Sequence, residues 1–123
     1  MGPMNGTFQF GSKGVRFADI LDGLSNTIVV GEKHVPLGNF GVGWWDCSMY
    51  NGDYYVCSSR AAGPEYPLAK TMTELSWAFG SYHPDIVQFA FGDGHVRSIN
   101  VNIDPHTLGL LANRNDGEPV PDY

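Results

Sequence analysis

Residues 81–100 read SYHPDIVQFAFGDGHVRSIN, and they carry the clearest structural pattern in the chain. From position 87 to position 91, Val and Phe alternate with Gln and Ala, which is the period-two pattern of a half-buried strand. Gly92-Asp93-Gly94 supplies turn residues, because Gly adopts positive φ freely and Asp tolerates unusual backbone angles. The alternation resumes over residues 95–101. The stretch predicts a β-hairpin whose turn is either the two-residue Asp93-Gly94 or a three-residue loop with a bulge at Gly94.

The segments before the hairpin predict short, regular elements. Phe8 and Phe10 alternate between glycines, which favours a short strand. Arg16 to Asp22 has apolar residues at helical spacing, and Gly23 is suited to end that helix. Thr27 to Val35 is predicted as a strand. Its apolar centre, residues 28–30, predicts that both of its faces are covered.

The segments after residue 35 differ in how clearly they can be interpreted. Residues 36–79 are the least regular part, with room for one helical turn between Leu68 and Trp77. Beyond the hairpin, Asp104 is a good N-cap and Pro105 suits the first helical position. We therefore predict a helix that starts there and ends between Asn113 and Gly117. The two prolines at 119 and 121 predict a disordered tail.

The elements together predict one α+β domain over residues 1–123, an antiparallel sheet with two short helices packed on it. The chain carries seven Lys and Arg against thirteen Asp and Glu, a net charge of −6. The basic residues are not clustered, which argues against binding to nucleic acid or to an anionic membrane surface. No apolar run in the sequence approaches the length of a membrane span.

Two cysteines, Cys47 and Cys57, flank a hairpin signal at Asn51-Gly52. That turn would place them nearly opposite each other, so a disulfide is the favoured interpretation. Two free buried thiols are the alternative. A zinc site is disfavoured because two further ligands with suitable spacing are missing.

Ser81, His83 and Asp93 have the residue types of a nucleophile, a base and its orienting carboxylate. An extended strand between His83 and Asp93 would separate them by up to roughly 33 Å, at about 3.3 Å for each residue. The geometry therefore argues against a catalytic dyad. We predict no catalytic residue and expect no enzymatic activity.

His83 and Glu32 each have two interpretations. In a two-residue turn register His83 lies beside Asp104, so it would bond Asp104 or the start of the C-terminal helix. Alternatively, it packs on aromatic neighbours. Glu32 is either exposed at the edge of its strand or a carboxylate that accepts hydrogen bonds and fixes a neighbouring loop.

Ligand sites are weakly indicated. The four histidines, His34, His83, His95 and His106, lack the spacing of zinc or iron ligands, and we predict no metal and no cofactor. Asp22, Ser25 and Asn26 are close in sequence, yet they lack the alternating ligands of calcium loops. Three aromatic residues either form a sugar-stacking or partner-binding surface or fill the core. They are Trp44, Trp45 and Tyr54.

Three blocks of sequence resemble one bacterial family. His83 is followed after nine residues by Asp93-Gly94, and residues 22–32 carry Asp-Gly, Ser-Asn-Thr and Gly-Glu in the family's order. The end of the chain, residues 110–118, fits the family's C-terminal segment. The chain is thereby similar to the DUF1559 family, whose members have prepilin-type N-termini and are abundant in planctomycetes. The shared motif residues are Asp22, Gly23, Ser25, Asn26, Thr27, Gly31, Glu32, His83, Asp93 and Gly94.

The resemblance implies the globular C-terminal part of a pilin-like protein whose N-terminal helix this sequence lacks. Such a protein would be a non-enzymatic pilin or pseudopilin, as in type II secretion, in an assembly exported to the periplasm or cell surface. Its partners would be other pilin-like or envelope proteins, and it would touch a membrane only through the missing helix. The alternative is an extracytoplasmic solute- or glycan-binding module that uses the aromatic middle segment.

Overall fold

A computed structural model of the protein describes residues 16–20, 23–48, 57–114 and 117–123. Its regular elements are strands β1 (Ile28–Gly31), β2 (Ile86–Phe91) and β3 (Val96–Asn100), helix α1 (Pro105–Ala112), and two 3-10 helices (Phe17–Asp19 and Leu24–Asn26). The strands form one antiparallel sheet in the order β1-β2-β3. The predicted α+β class is confirmed.

The β2–β3 hairpin closes with a three-residue loop. Its ladder runs from Ile86↔Asn100 to Ala90↔Val96. At the end of the ladder the amide of Phe91 donates to the carbonyl of His95 over 2.9 Å. Gly94 has a φ of 91°, a conformation that glycine adopts without a Cβ clash. The bulged loop is therefore the correct alternative, and the two-residue register is wrong by one position.

The core lies on one face of the sheet, beneath α1. Asp104 and Pro105 begin the helix as predicted, and Leu108 and Leu111 turn its apolar side inward with no exposed surface. The residues buried together are Ile28, Leu68, Val87, Phe89, Phe91, Ile99, Val101, Leu108 and Leu111. Val120 and Tyr123 pack against this cluster, so the prediction of a disordered tail is wrong.

Strand β1 is shorter and less covered than predicted. A bulge between Ile28 and Val30 interrupts its pairing with β2. The bulge turns Ile28 and Gly31 toward the core and leaves Val30 56% exposed at the edge of the sheet. The prediction that both faces are covered is wrong, since an apolar run on an edge strand has no second layer above it.

The predicted helix from Arg16 to Asp22 is a single 3-10 turn, Phe17–Asp19. Arg16 and Asp19 close it by mutual hydrogen bonds, while Phe17 remains 75% exposed. The helical spacing did not predict the structure here, because a single 3-10 turn with no buried residue gives no apolar face to the core. Residues 21 and 22 lie outside the described residues, as do the predicted strand at Phe8 and Phe10 and the Asn51-Gly52 hairpin.

The described residues between Lys33 and Phe79 form none of the named helices or strands. Isolated bridges join Lys33 to Phe79, Ala61 to Ala78 and Gly63 to Tyr66. The helical turn for which the sequence left room between Leu68 and Trp77 does not form; that part of the chain is irregular or in turns. We call residues 33–79 the middle segment.

Candidate functional site

Glu32 and His83, which come from two different motif blocks, meet at one end of β2. The Glu32 carboxylate accepts a hydrogen bond from the amide of Gln88 over 2.8 Å. Its other oxygen lies 3.3 Å from Nε2 of His83. The backbone of Glu32 also donates to the carbonyl of Gln88. Glu32 therefore ties the end of β1 to both β2 and the loop before it, in agreement with the second interpretation of this residue.

The position of His83 corrects the expected contact with α1. Among the described residues, the imidazole pairs with Glu32, whereas the Asp104 carboxylate accepts from the Thr107 hydroxyl. The physical reason is the turn: its three-residue loop shifts the register by one position. Ser81 shapes the loop, because its hydroxyl donates to the carbonyl of Ile86 over 2.6 Å and accepts from the amide of His83. The Ser81 hydroxyl is therefore engaged in structure.

At the other end of β2, the hairpin loop docks on the second 3-10 helix. The amide of Asp93 donates to the carbonyl of Leu24 over 3.2 Å, and that of Gly92 to the carbonyl of Thr27 over 3.0 Å. The Thr27 hydroxyl donates to the carbonyl of Gly23. A Cβ on Gly92 would come within 3.0 Å of the Leu24 carbonyl oxygen. Glycine here permits the two motif blocks to approach each other.

Asp93 has its own side-chain partner, His95, which sequence reasoning missed. One carboxylate oxygen of Asp93 accepts from the amide of His95 over 3.1 Å and lies 2.5 Å from its Nδ1. The hydrogen bond from the imidazole lowers the pKa of Asp93. The His95 ring also stacks on Phe91, with centroids 4.4 Å apart. An Asp two residues before a His was the available signal, since such a side chain reaches forward across a turn.

His83 and Asp93 are therefore not brought together. The six residues of β2 lie between them, and each side chain pairs with a different partner. The motif marks the two ends of one strand and joins each end to the DGLSNT–GE region, residues 22–32.

In the middle segment, Lys33 gathers three chain segments. Its ammonium group donates to the Asp46 carboxylate over 2.7 Å and to the carbonyls of Cys57 and Cys47 over 3.2 and 3.4 Å. Asp46 also accepts from the amide of Gly41. The hydrogen bond from Lys33, and after it that from Gly41, holds the pKa of Asp46 below its ordinary value of 3.8.

Arg60 likewise connects separate parts of the middle segment. Its guanidinium donates to the carbonyls of His34, Ser59 and Trp45, at distances from 2.5 to 3.1 Å, and lies 4.8 Å from the Trp77 ring centroid. Burial lowers the pKa of Arg60 to about 10. The group remains charged at neutral pH.

A disulfide joins Cys47 to Cys57, with Cα atoms 5.4 Å apart. It was the favoured alternative from sequence. Cys57 has no exposed surface, so the bridge is anchored in the interior on one side. The carbonyls of both cysteines accept from Lys33. The disulfide and the Lys33 ammonium group therefore hold the same two chain segments together.

Of the three aromatic residues proposed for a binding surface, the structure shows one exposed and one packed against another ring. Trp44 is 67% exposed, but the Trp45 ring packs on Trp77 with centroids 5.4 Å apart. Tyr54 lies outside the described residues. Trp44 instead belongs to an apolar loop, residues 36–45, that has no ionisable side chain. The other exposed apolar residues of this loop are Leu37, Phe40 and Val42.

Within the described ranges, no three His, Cys, Asp or Glu side chains come together as metal ligands do. His34 is buried, with Nε2 2.6 Å from the Glu74 carbonyl oxygen, which is a structural contact. None of the helices in the described part of the chain has the length and apolar character needed to cross a membrane.

A polar cleft of about 460 Å³ opens beside the hairpin loop. Three parts of the chain surround it: the second 3-10 helix, β3 with the residue before it, and the C-terminal tail. Its polar side chains are Ser25, Asn26, His95, Arg97, Asp122 and Tyr123. Two of these, Ser25 and Asn26, belong to the shared motif, and the sequence did not indicate that the others would join them.

Comparison with known proteins gives one match. The sequence profile of a family described as "Protein of unknown function (DUF1559)" matches residues 1–106. The match spans the three described strands and two of the three motif blocks, whereas residues 110–118 lie beyond its end. No curated protein and no solved structure matches the chain.

Proposed function

Because the chain belongs to the DUF1559 family, whose function is unknown, we propose that it is a non-enzymatic structural subunit of an exported envelope assembly. Such a subunit would resemble a pilin or pseudopilin. Its partners would be other pilin-like or envelope proteins, and it would act in the periplasm or at the cell surface.

The observation that carries this proposal is how the family-motif side chains are used. Glu32 bonds the amide of Gln88 and pairs with His83, while Asp93 bonds His95. These contacts lie at the two ends of β2 and join it to its neighbours. A motif that holds strands together supports a role in building a stable subunit, since catalytic groups converge on one point instead.

The disulfide supports export. Bridges such as Cys47–Cys57 persist in oxidising compartments and are rare in the cytosol of mesophiles. The bridge also lies in the middle segment, whose described residues form none of the named strands or helices. A covalent link there would preserve the segment outside the cell.

The apolar loop, residues 36–45, supports contact with other subunits. Leu37, Phe40 and Trp44 are each more than half exposed. Exposed apolar clusters of this kind mark interaction surfaces in soluble domains. Phe40 also contacts Tyr82, with ring centroids 5.8 Å apart, so the loop packs against the segment that leads into β2.

The test is photo-crosslinking in the source bacterium, with the gene at its own locus. A photoreactive amino acid replaces Phe40 in one strain and Ser98, an exposed residue of β3, in the control strain. We expect the protein in envelope fractions and crosslinks to envelope proteins or to its own copies from position 40 above those from position 98. Recovery of uncrosslinked protein in the cytosol with free thiols would contradict the proposal.

The alternative, an extracytoplasmic solute- or glycan-binding module using the middle segment, has less support. It needs neighbouring exposed aromatic faces, and the Trp45 ring is packed against Trp77 instead of standing free beside Trp44. Replacing Trp44 by Ala should then leave sugar binding by the purified chain unchanged.

A further inference from the structure

We propose that the polar cleft beside the hairpin loop binds a neutral mono- or disaccharide. The inference goes beyond the assembly role and does not depend on it. It concerns a different face of the protein from the apolar loop and from the aromatic residues of the middle segment.

The first step is that the motif's structural contacts leave Ser25 unused. In the segment Gly23 to Thr27, docking of the hairpin loop uses the backbone carbonyls of Leu24 and Thr27, and the Thr27 hydroxyl bonds the chain internally. Ser25 is exposed and its hydroxyl has no hydrogen-bond partner among the described residues. A polar side chain with no structural task lines the cleft.

The second step is that His95 is held in one orientation. Its ring stacks on Phe91, and its Nδ1 faces the Asp93 carboxylate. The carboxylate requires a proton on Nδ1 because it is an acceptor only. The other ring nitrogen, Nε2, is therefore the one left to a ligand, and it accepts a hydrogen bond when the ring is neutral.

Arg97 is also fixed before any ligand arrives. It lies two residues beyond His95, on the same face of β3 as the buried Ile99. Its guanidinium carbon lies 3.8 Å from the Tyr123 ring centroid, and Nη2 donates to the Tyr123 carbonyl. A donor held in place loses little conformational freedom when it binds.

The charges select the class of ligand. Among the side chains that line the cleft, Arg97 carries a positive charge and Asp122 a negative one, although the whole chain carries −6. An anion would meet Asp122, and a cation would meet Arg97. Hydroxyl groups both donate and accept, so a neutral polyhydroxylated molecule matches this mixed lining. The volume of about 460 Å³ falls in the usual range of small-molecule sites.

The test is a titration of the ¹⁵N-labelled chain followed by amide chemical shifts. The probes are glucose, galactose, N-acetylglucosamine and cellobiose, with phosphate, acetate and choline as charged comparators. We expect at least one sugar to give saturable shifts confined to residues 23–27, 94–98 and 120–123. The charged comparators should give none there.

Variants separate binding from folding. Ser25→Ala should weaken sugar binding about tenfold, as expected for one lost hydrogen bond to a ligand in a site built for it. Arg97→Lys keeps the charge but loses the planar fork, so it should also weaken sugar binding. Ser98→Ala, on the opposite face of β3, is the matched control and should bind as the unmodified chain does.

Three results would overturn the proposal. In the first, none of the four sugars shifts the cleft amides. In the second, phosphate or acetate shifts them and the sugars do not, which would make the cleft an anion site. In the third, Ser25→Ala and Ser98→Ala titrate identically. None of these results bears on envelope assembly, because the purified chain is tested alone.

Discussion

The sheet and the middle segment of this protein are held together by different means. The sheet is stabilised by backbone hydrogen-bond ladders and by a shared apolar core. Motif side chains such as Glu32 and Asp93 form hydrogen bonds at the strand ends. In the middle segment, two cations bind backbone carbonyls and a disulfide closes the chain. The sheet is stabilised by repeated backbone hydrogen bonds, whereas individual side chains make the long-range contacts of the middle segment.

The difference predicts how damage spreads in each region. A ladder distributes its stability over many bonds, so its weak point is the core beneath it. In the middle segment, Lys33, Arg60 and the bridge each join parts of the chain that are distant in sequence, so loss of one of these groups should loosen a long stretch of chain. Substitutions matched between the two regions can test this contrast.

The largest effect is expected at Phe89, in the centre of β2. It is 1% exposed and packs on Phe79, with ring centroids 5.3 Å apart. Phe89→Ala should lower the free energy of unfolding by about 3–5 kcal/mol, because it removes a buried ring and leaves a cavity. Phe40→Ala, in the apolar loop at 59% exposure, is the control and should change it by less than about 1 kcal/mol. Equal losses in denaturant unfolding would show that the loop is part of the core.

Reduction of the Cys47–Cys57 bridge should have the next largest effect. A bridge between residues ten apart restricts the unfolded chain, which stabilises the fold by about 2–3 kcal/mol. Denaturant unfolding with and without a thiol reductant measures this difference. The double variant Cys47→Ala/Cys57→Ala should not respond to reductant. If the unmodified chain is equally indifferent, the cations alone hold the middle segment.

How far the sequence could predict each region follows the same contrast. The alternation at residues 87–91 and the pair Asp104-Pro105 predicted β2 and the start of α1, because these signals are local. The length of the turn was not decided, since Asp93-Gly94 fits both hairpin types. The error of one position then removed the predicted contact between His83 and Asp104.

The candidate sites depended on long-range placement. Glu32 and His83 meet only because β1 and β2 pair in a particular register with a bulge, which neither residue's neighbourhood reveals. The targets of Arg60 are backbone carbonyls, and every residue has one, so no pattern of side chains marks them. The residues of the polar cleft come from three separate parts of the chain for the same reason.

Arg60→Lys should cost about 1–2 kcal/mol, because the charge remains while several carbonyls lose their donor. The planar guanidinium reaches His34, Ser59 and Trp45 at once, which an ammonium cannot do. Arg16→Lys is the matched control. Arg16 pairs with Asp19 on the surface, with its side chain 82% exposed, and should cost almost nothing. Urea unfolding measures the loss of stability in both variants. Equal losses would show that the carbonyl contacts of Arg60 contribute no more to stability than a surface ion pair does.

Gly94→Ala should cost about 1 kcal/mol, since alanine is strained at positive φ. A Cβ at Gly94 would meet nothing within 4 Å, so the cost is conformational and not steric. Gly43→Ala in the apolar loop separates the two causes, because Gly43 also has open space around it but no positive φ. Thermal unfolding should show a lower Tm for Gly94→Ala and no fall for Gly43→Ala. A similar fall in both would mean that the loop needs glycine for its own geometry.

The smallest effect is expected in the acid dependence of stability. The bond from Lys33 lowers the pKa of Asp46 in the folded protein below its ordinary value of 3.8. A folded pKa below the unfolded one gives a contribution that is fully present above pH 3.8 and is lost as the pH falls through the folded pKa.

Asp46→Asn should therefore lower stability at neutral pH by about 1 kcal/mol or less and flatten the fall in stability below pH 4. Asp93→Asn is the comparison from the sheet. Its carboxylate is also bonded, to His95, but lies on the surface of the turn, where Asn can replace it. Denaturant midpoints measured between pH 3 and pH 7 give both profiles. A flatter acid limb in Asp93→Asn than in Asp46→Asn would place the more important carboxylate in the motif turn, and the sheet would then depend on single groups as the middle segment does.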